Sequence, residues 1–113
     1  MKHSIFKYLE DMLISINDIE TYSKEVKTYH DIENNQLLFD AICRRFSIVG
    51  EALYQADKIN NDLAITDKNK IKGLRHIIVH DYDSVLPEDL FIIITKKLHL
   101  LKIEVLSLLQ NKF

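Results

Sequence analysis

Four polar side chains crowd a stretch of the chain that otherwise has the apolar pattern of a buried helix. Residues 71–82, IKGLRHIIVHDY, contain one of the three arginines of the chain, two of its five histidines and one of its five tyrosines. These residues are Arg75, His76, His80 and Tyr82. A helix does not need such groups in order to pack, so we expect chemistry at this stretch.

A helical wheel at about 100° per residue separates a core face of this stretch from a polar edge. The apolar residues occupy an arc of about 120°, which is typical of a helix that lies with one side on a core. The polar groups lie outside this arc. The predicted core face consists of Ile71, Leu74, Ile77 and Ile78.

The polar edge of the predicted helix surrounds one apolar side chain. The wheel places Tyr82 about 20° from Arg75, and it stacks His76 and His80 on one flank about 100–140° from the arginine. Val79 lies between the two directions. A monomer has little reason to expose an apolar spot ringed by such groups. The pattern therefore predicts that this face contacts a partner.

Histidine and arginine together suffice for one kind of RNA cleavage. A histidine can act as general acid or base near neutral pH, and an arginine can bind a phosphate and stabilise its developing charge. With these groups the ribose 2′-hydroxyl can attack the adjacent phosphate without a metal ion. Three basic residues at the start of the same helix would offer an approach for RNA. They are Lys68, Lys70 and Lys72. The residues alone also permit a structural or interface role.

A metal site is the main chemical alternative at the two histidines. His76 and His80 have the spacing of the two ligands in a zincin His-Glu-x-x-His motif, but Ile77 stands where that motif has its glutamate. His99 is the one further histidine that could approach from the last predicted helix. We therefore predict neither a metal nor another cofactor.

Composition predicts a small helical protein. The 113 residues include two glycines, one proline and no tryptophan, so the turns of an all-β fold are missing. We expect residues 1–113 to form a single domain. The net charge of −2 gives no overall attraction to nucleic acid, so any RNA site must be local. A single cysteine, Cys43, fits a reducing cytoplasm, and the N-terminus does not have the pattern of a signal peptide.

Apolar periodicity predicts an up-and-down bundle of about four main helices, which is an all-α fold without a membrane span. Ser4 is the expected cap of the first helix, and Pro87 the expected start of the last. Gly50 lies within the longest helix, where it costs about 1 kcal/mol against alanine, so we expect another helix to cross closely there. The predicted helices cover residues 4–22, 33–58, 66–82 and 87–110, with a short helix or turn at 23–28 and a break at 60–62.

The longest predicted helix has two arginines of uncertain purpose. Asp40, Arg44, Ser47 and Glu51 form a polar stripe at spacings of four, three and four residues. Arg45 falls on the apolar side instead. Its guanidinium either extends past the edge of the core or points at a dimer interface or a phosphate. The sequence leaves the roles of Arg44 and Arg45 open.

At these positions the chain resembles the HepT-like toxins of the HEPN superfamily. Arg75, His80 and Tyr82 match the R-x4-H-x-Y motif of that group, and His76 occupies a position that is commonly polar there. The segments DAI at 40–42 and IVGEA at 48–52 resemble its long-helix signature. The segments GLR at 73–75 and HDYDSV at 80–85 resemble its second block. The resemblance covers nearly the whole chain.

The resemblance implies a dimeric all-α bundle that brings two Arg–His motifs together in a cleft. It implies a metal-independent endoribonuclease, the toxin of a type VII toxin–antitoxin pair, with Arg75 and His80 catalytic and His76 as a supporting polar residue. The implied antitoxin is an MNT-type nucleotidyltransferase that transfers AMP from ATP to Tyr82. Leu86 stands where relatives tend to carry aspartate before Pro87, so Ser84 is expected to cap the last helix.

Two other hypotheses stay open on the sequence. The chain could be a HEPN module that binds RNA or protein without catalysis, even as the neutralising partner of a pair. It could also be a purely structural helical dimer. Binding without cleavage would separate the first of these from an enzyme, and the absence of any nucleic-acid binding would favour the second.

Overall fold

All regular secondary structure in the described part of the chain is helical, which confirms the predicted all-α bundle. The computed structural model describes residues 4–111. The first three residues of the segment judged not to be a signal peptide therefore lie outside the described residues. A 3₁₀ turn, Tyr82–Ser84, lies between α-helices Lys68–His80 and Pro87–Lys96. The α-helices are α1 (Ile5–Tyr22), α2 (Tyr29–Glu33), α3 (Gln36–Ile59), α4 (Lys68–His80), α5 (Pro87–Lys96) and α6 (Leu98–Asn111).

The largest helix–helix contact joins α1 and α3. Buried residues of α1 recur every three or four positions, so they form a single stripe along the helix. Each fully buried Leu, Ile or Met side chain contributes about 1.5–3 kcal/mol, so this stripe is a main source of stability. Ser4 caps α1 as predicted, since its Oγ accepts the backbone N–H of Lys7 at 3.4 Å. The stripe consists of Leu9, Met12, Ile16 and Ile19.

The short helix between α1 and α3 comes after the stretch 23–28, which was predicted to be a helix or a turn. Residues 23–28 are a turn, and the short helix is α2, Tyr29–Glu33. A capping box fixes its start, because the Asp31 carboxylate accepts the backbone N–H of Thr28 at 3.0 Å. Two such backbone bonds lower the pKa of Asp31. Asn35 then caps α3 by accepting the N–H of Leu38 at 3.1 Å, so α3 begins at Gln36 and not at residue 33.

The last predicted helix is two helices that meet at Lys97, where φ is −122°. The bend lets α5 pack on α2 while α6 packs on α1. Pro87 begins α5 as expected, but Ser84 does not cap it. The Ser84 hydroxyl instead donates to the Asp81 carboxylate at 2.6 Å, and Leu86 occupies the cap position without a side-chain hydrogen bond.

Gly50 marks the crossing of α3 and α4, as its position within the helix predicted. A Cβ at this position would lie 2.3 Å from Cβ and 2.9 Å from Cγ of Arg75, and 3.3 Å from the carbonyl oxygen of Ile71. Only a residue without a side chain permits such an approach. The crossing holds α4, with its polar groups, against the middle of α3.

Candidate functional site

The buried face of α4 is narrower than the helical wheel predicted. Ile71, Leu74 and Ile78 are buried, whereas Ile77 is 42% exposed and its placement in the core was wrong. The reason is that α4 has α3 as its main helix neighbour, and one neighbour covers only part of the predicted arc. Val79 is also exposed, at 48%. Two apolar side chains of α4 are therefore exposed to solvent, on different sides of the helix.

Arg75 is directed along the surface of α3. Its Cβ and Cγ lie over Gly50, and its Nη2 atom lies 3.1 Å from Oε2 of Glu51. The Nε atom is buried and has no hydrogen-bond partner among the described residues. The guanidinium is thus held at one end by one carboxylate, and it keeps further donors that a phosphate could accept from.

His76 and His80 stack on each other, as their spacing of four residues predicted. Their ring centroids are 4.6 Å apart and the ring planes are tilted by 50°. Both side chains are exposed, and neither ring makes a hydrogen bond with any residue from 4 to 111. An unbonded, exposed imidazole is suited to receive or deliver a proton on a bound substrate.

Tyr82 does not lie on α4, so its predicted alignment with Arg75 on one helical wheel was wrong. The helix ends at His80, because Asp81 leaves the helical conformation with φ −151° and ψ 60°. Tyr82 begins the 3₁₀ turn that follows. Its hydroxyl donates a hydrogen bond to the Asp40 carboxylate on α3. Its ring meets the edge of Phe39 at a centroid distance of 5.6 Å.

The surroundings of Tyr82 disfavour its ionised form. The pKa of Tyr82 is raised well above its usual value, first by desolvation and then by the neighbouring Asp40 carboxylate. The Cys43 thiol lies beside the same hydroxyl, and burial raises the pKa of Cys43 to about 11. Both groups therefore stay protonated at neutral pH.

Two of the three lysines expected to guide RNA are bound to a carboxylate of α3. Lys68 and Lys72 donate to the two oxygens of Asp57 at 2.8 Å and 2.7 Å. These hydrogen bonds lower the pKa of Asp57. Lys70 is exposed and forms no such pair within residues 4–111. Of the three, Lys70 has the charge that is most available to a polyanion.

The predicted polar stripe of α3 turns out to face the candidate site. Asp40 bonds Tyr82 and Glu51 pairs with Arg75, so the two ends of the stripe hold two motif residues. Spacings of four, three and four had indicated a common face, but only the fold shows that this face meets α4. Arg45 lies apart from the stripe, with its Nη1 3.3 Å from Asp18 of α1 at the edge of the core.

Within one chain the motif residues do not converge on one point. Arg75 and His80 are five residues apart, which is about 7.5 Å along the helix axis and about 140° around it. Arg75 reaches towards α3, while His80 is exposed at the end of α4. Each motif residue has its own neighbours instead: His76 stacks on His80, Arg75 pairs with Glu51 and Tyr82 bonds Asp40.

The described residues also limit two other kinds of site. Between residues 4 and 111, no three or more His, Cys, Asp or Glu side chains are grouped so that they could hold a metal ion. No helix in the same range is long and apolar enough to cross a bilayer.

Comparison with known proteins gives a consistent result. The family model for "Ribonuclease HepT-like" matches residues 12–108. A protein of Methanocaldococcus jannaschii named "Putative RNase MJ1380" is 33% identical over 85 residues, which is 72% of this chain and 74% of that protein. No solved structure matches the chain significantly.

Proposed function

The chain belongs to the HepT-like ribonuclease family, and from that premise we propose that it is a metal-independent endoribonuclease with Arg75 and His80 as its catalytic residues. The observation that carries the proposal is that the His80 side chain is accessible to a substrate. Its imidazole is exposed and makes no hydrogen bond with the described residues, at the end of the helix that also carries Arg75. Such a group is available to exchange a proton with RNA.

The proposed reaction uses the RNA's own hydroxyl as nucleophile. His80 removes the proton of the ribose 2′-hydroxyl, whose oxygen then forms a bond to the adjacent phosphorus. The bond from phosphorus to the 5′-oxygen breaks, and a protonated histidine gives that oxygen a proton. Arg75 stabilises the negative charge that develops on the phosphate. His76, stacked on His80, orients its ring.

The protein is proposed to act as a homodimer with the two motifs in one cleft. Three observations support this arrangement. Arg75 and His80 diverge within one chain, so a second copy would bring the second histidine that the reaction needs. Ile77 and Val79 are exposed on the same helix. Gly73, in the exposed middle of α4, has no atom within 4 Å of the position of a Cβ, so nothing in the described chain accounts for the glycine.

RNA cleavage in the presence of a chelator tests the proposed activity. We expect the purified protein to cut single-stranded RNA equally well with and without EDTA, because the proposed steps use only side chains and the 2′-hydroxyl. The products should end in 2′,3′-cyclic phosphates, which gel electrophoresis and mass spectrometry detect. RNA that is bound but never cut would instead indicate a non-catalytic RNA-binding module.

We further propose that the protein is the toxin of a type VII toxin–antitoxin pair, controlled by AMP transfer to Tyr82. An MNT-type nucleotidyltransferase would bind ATP, and ATP would be the donor of the AMP group. The Tyr82 oxygen would attack the α-phosphorus, the bond to the β-phosphate would break, and pyrophosphate would leave. The Asp40 carboxylate already accepts a hydrogen bond from this hydroxyl, so it is placed to take the phenol proton. An anionic adduct two residues from His80 would repel RNA.

Substitution of Tyr82 tests this control. Co-expressed with the nucleotidyltransferase, the wild-type chain should gain the mass of one or more AMP units and lose RNA cleavage. Tyr82→Phe should gain no such mass and should still cleave, because phenylalanine has no hydroxyl to modify. Asp40→Asn should slow the modification, since an amide accepts a proton far less readily than a carboxylate.

Tyr54 supplies a matched control for that experiment. It is an exposed tyrosine of α3, and its ring faces the ammonium of Lys58 instead of a carboxylate. Tyr54→Phe should be modified and neutralised as fully as the wild type. Neutralisation of Tyr82→Phe without modification would contradict control by AMP transfer.

A further inference from the structure

An open cleft of about 310 Å³ lies beside Arg75, between α1, α3 and α4. Ile48 and Ala52 are its apolar residues. The charged and hydroxyl groups come from all three helices, which gives the cleft several hydrogen-bonding groups. These polar residues include Asp11, Arg44, Ser47, Glu51 and Arg75.

The two acids of the cleft are already compensated. The Asp11 carboxylate accepts from Lys7 at 2.7 Å, one turn earlier on α1. Glu51 pairs with Arg75 at 3.1 Å. Because each carboxylate has a cation beside it, neither acid cancels the remaining charge.

That remaining charge belongs to Arg44. Its side chain is exposed and forms no hydrogen bond or ion pair with any residue of the described range. The next residue provides a contrast, since Arg45 is paired with Asp18 at 3.3 Å. An uncompensated guanidinium favours the oxygens of a phosphate, which it can bind through two parallel hydrogen bonds.

Arg44 also lies on the same side of α3 as the two acids that hold Tyr82 and Arg75. It follows Asp40, the partner of Tyr82, by one turn, and it precedes Glu51, the partner of Arg75, by about two turns. Ser47 lies between Arg44 and Glu51 and adds a hydroxyl donor to the cleft. A strand of RNA with one phosphate at Arg75 would therefore run past Arg44.

We propose that this cleft is a subsite for a second RNA phosphate, next to the phosphate that is cleaved, and that Arg44 is its main binding residue. Ser47 donates a further hydrogen bond to the same phosphate. The inference rests on the proposed ribonuclease function. It adds a substrate-binding residue that the Arg-His motif does not contain, and it explains how a protein of net charge −2 holds a polyanion locally.

Salt-dependent RNA binding tests the subsite. Affinity for a short single-stranded RNA is measured over a range of salt concentrations in the His80→Ala background, which prevents cleavage. Adding Arg44→Ala should weaken binding by about ten- to a hundredfold. It should also reduce the slope of log affinity against log salt by about 0.7, the value for one lost phosphate contact to a single strand. Arg44→Lys should restore the slope but not the full affinity, because lysine keeps the charge and loses the paired hydrogen bonds.

Arg45→Ala is the matched control, because it removes the same charge one residue away. It should leave affinity within about twofold and the slope unchanged. In the chain that retains His80, Arg44→Ala should raise KM and change kcat little, as expected for a residue that binds substrate away from the bond that breaks. Sedimentation of each variant verifies that the assembly is the same.

Two outcomes would overturn the proposal, and they are distinguishable from a failure of the ribonuclease function. If the wild type cleaves RNA and Arg44→Ala behaves as Arg45→Ala does, the subsite is wrong while the activity stands. Equal losses in both variants would indicate a general charge effect and would also refute it. A wild-type chain that neither binds nor cuts RNA would refute the proposed function itself, and the subsite with it.

Discussion

Replacing His80 with alanine is expected to slow RNA cleavage by about 10²–10⁴-fold, the range that a positioned general acid or base contributes. The protein should remain folded, because the imidazole is exposed and makes no hydrogen bond with the described residues. Surface substitutions of this kind change the free energy of unfolding by about 0.5 kcal/mol or less. Cleavage rates and urea unfolding, measured on the same preparation, separate the two effects.

The neighbouring histidines serve as controls for His80. The ring centroids of His76 and His80 are 4.6 Å apart, so His76→Ala should also reduce the cleavage rate, by a smaller factor than His80→Ala. His99 is exposed on α6 and is not part of the motif, so His99→Ala should have no effect. Expressed alone in cells, the wild type and His99→Ala should arrest growth, and His80→Ala should not. Full activity of His80→Ala would exclude this residue as the acid or base.

Replacing Gly50 with alanine is expected to lower the free energy of unfolding by about 1–3 kcal/mol, the usual cost of an extra methyl group in a tightly packed contact. The new Cβ would lie 2.3 Å from Cβ of Arg75, an atom that the backbone fixes and that no side-chain rotation can move away. Helix α4 must therefore move. Cleavage should fall as well, because the movement displaces Arg75. Urea unfolding and cleavage rates measure both changes.

The second glycine of the chain is a control, because its substitution should change the free energy of unfolding in the opposite direction. Gly73 has open space around the position of a Cβ, so Gly73→Ala should raise the free energy of unfolding by about 0.5–1 kcal/mol through helix propensity. If a second copy packs there, the same substitution should weaken dimer formation in sedimentation. A Gly50→Ala protein as stable as the wild type would show that the crossing can widen without cost.

Local patterns were enough to predict most of the fold. Ser4, Gly50 and Pro87 each act through the backbone of their own helix or through one crossing, so their roles could be inferred from position alone. The all-α class followed from apolar periodicity and from the scarcity of glycine and proline. The end of α4 was missed because the conformation of Asp81, and not a proline or glycine, stops the helix.

Contacts between helices explain the rest of what sequence could not predict. The wheel could not show that Lys68 and Lys72 bind Asp57, which is more than ten residues earlier in the chain. It could not show that Tyr82 bonds Asp40, 42 residues away. Nor could it show that one neighbouring helix leaves Ile77 exposed. Each of these depends on how α3 and α4 are aligned.

That alignment has an unusual origin. If α4 slid by one turn, Leu74 would take the place of Ile71, and Ile78 that of Leu74, so the apolar contacts alone would tolerate a shifted register. A shift of one turn would, however, separate the acidic side chains of α3 from their partners. The acids are used in the reverse of their chain order, because α4 runs opposite to α3. Asp57 binds Lys68 and Lys72, Glu51 pairs with Arg75, and Asp40 accepts from Tyr82 just after the end of α4. Carboxylates that add little to stability thus select one register of the two helices, and with it the position of Arg75 along α3.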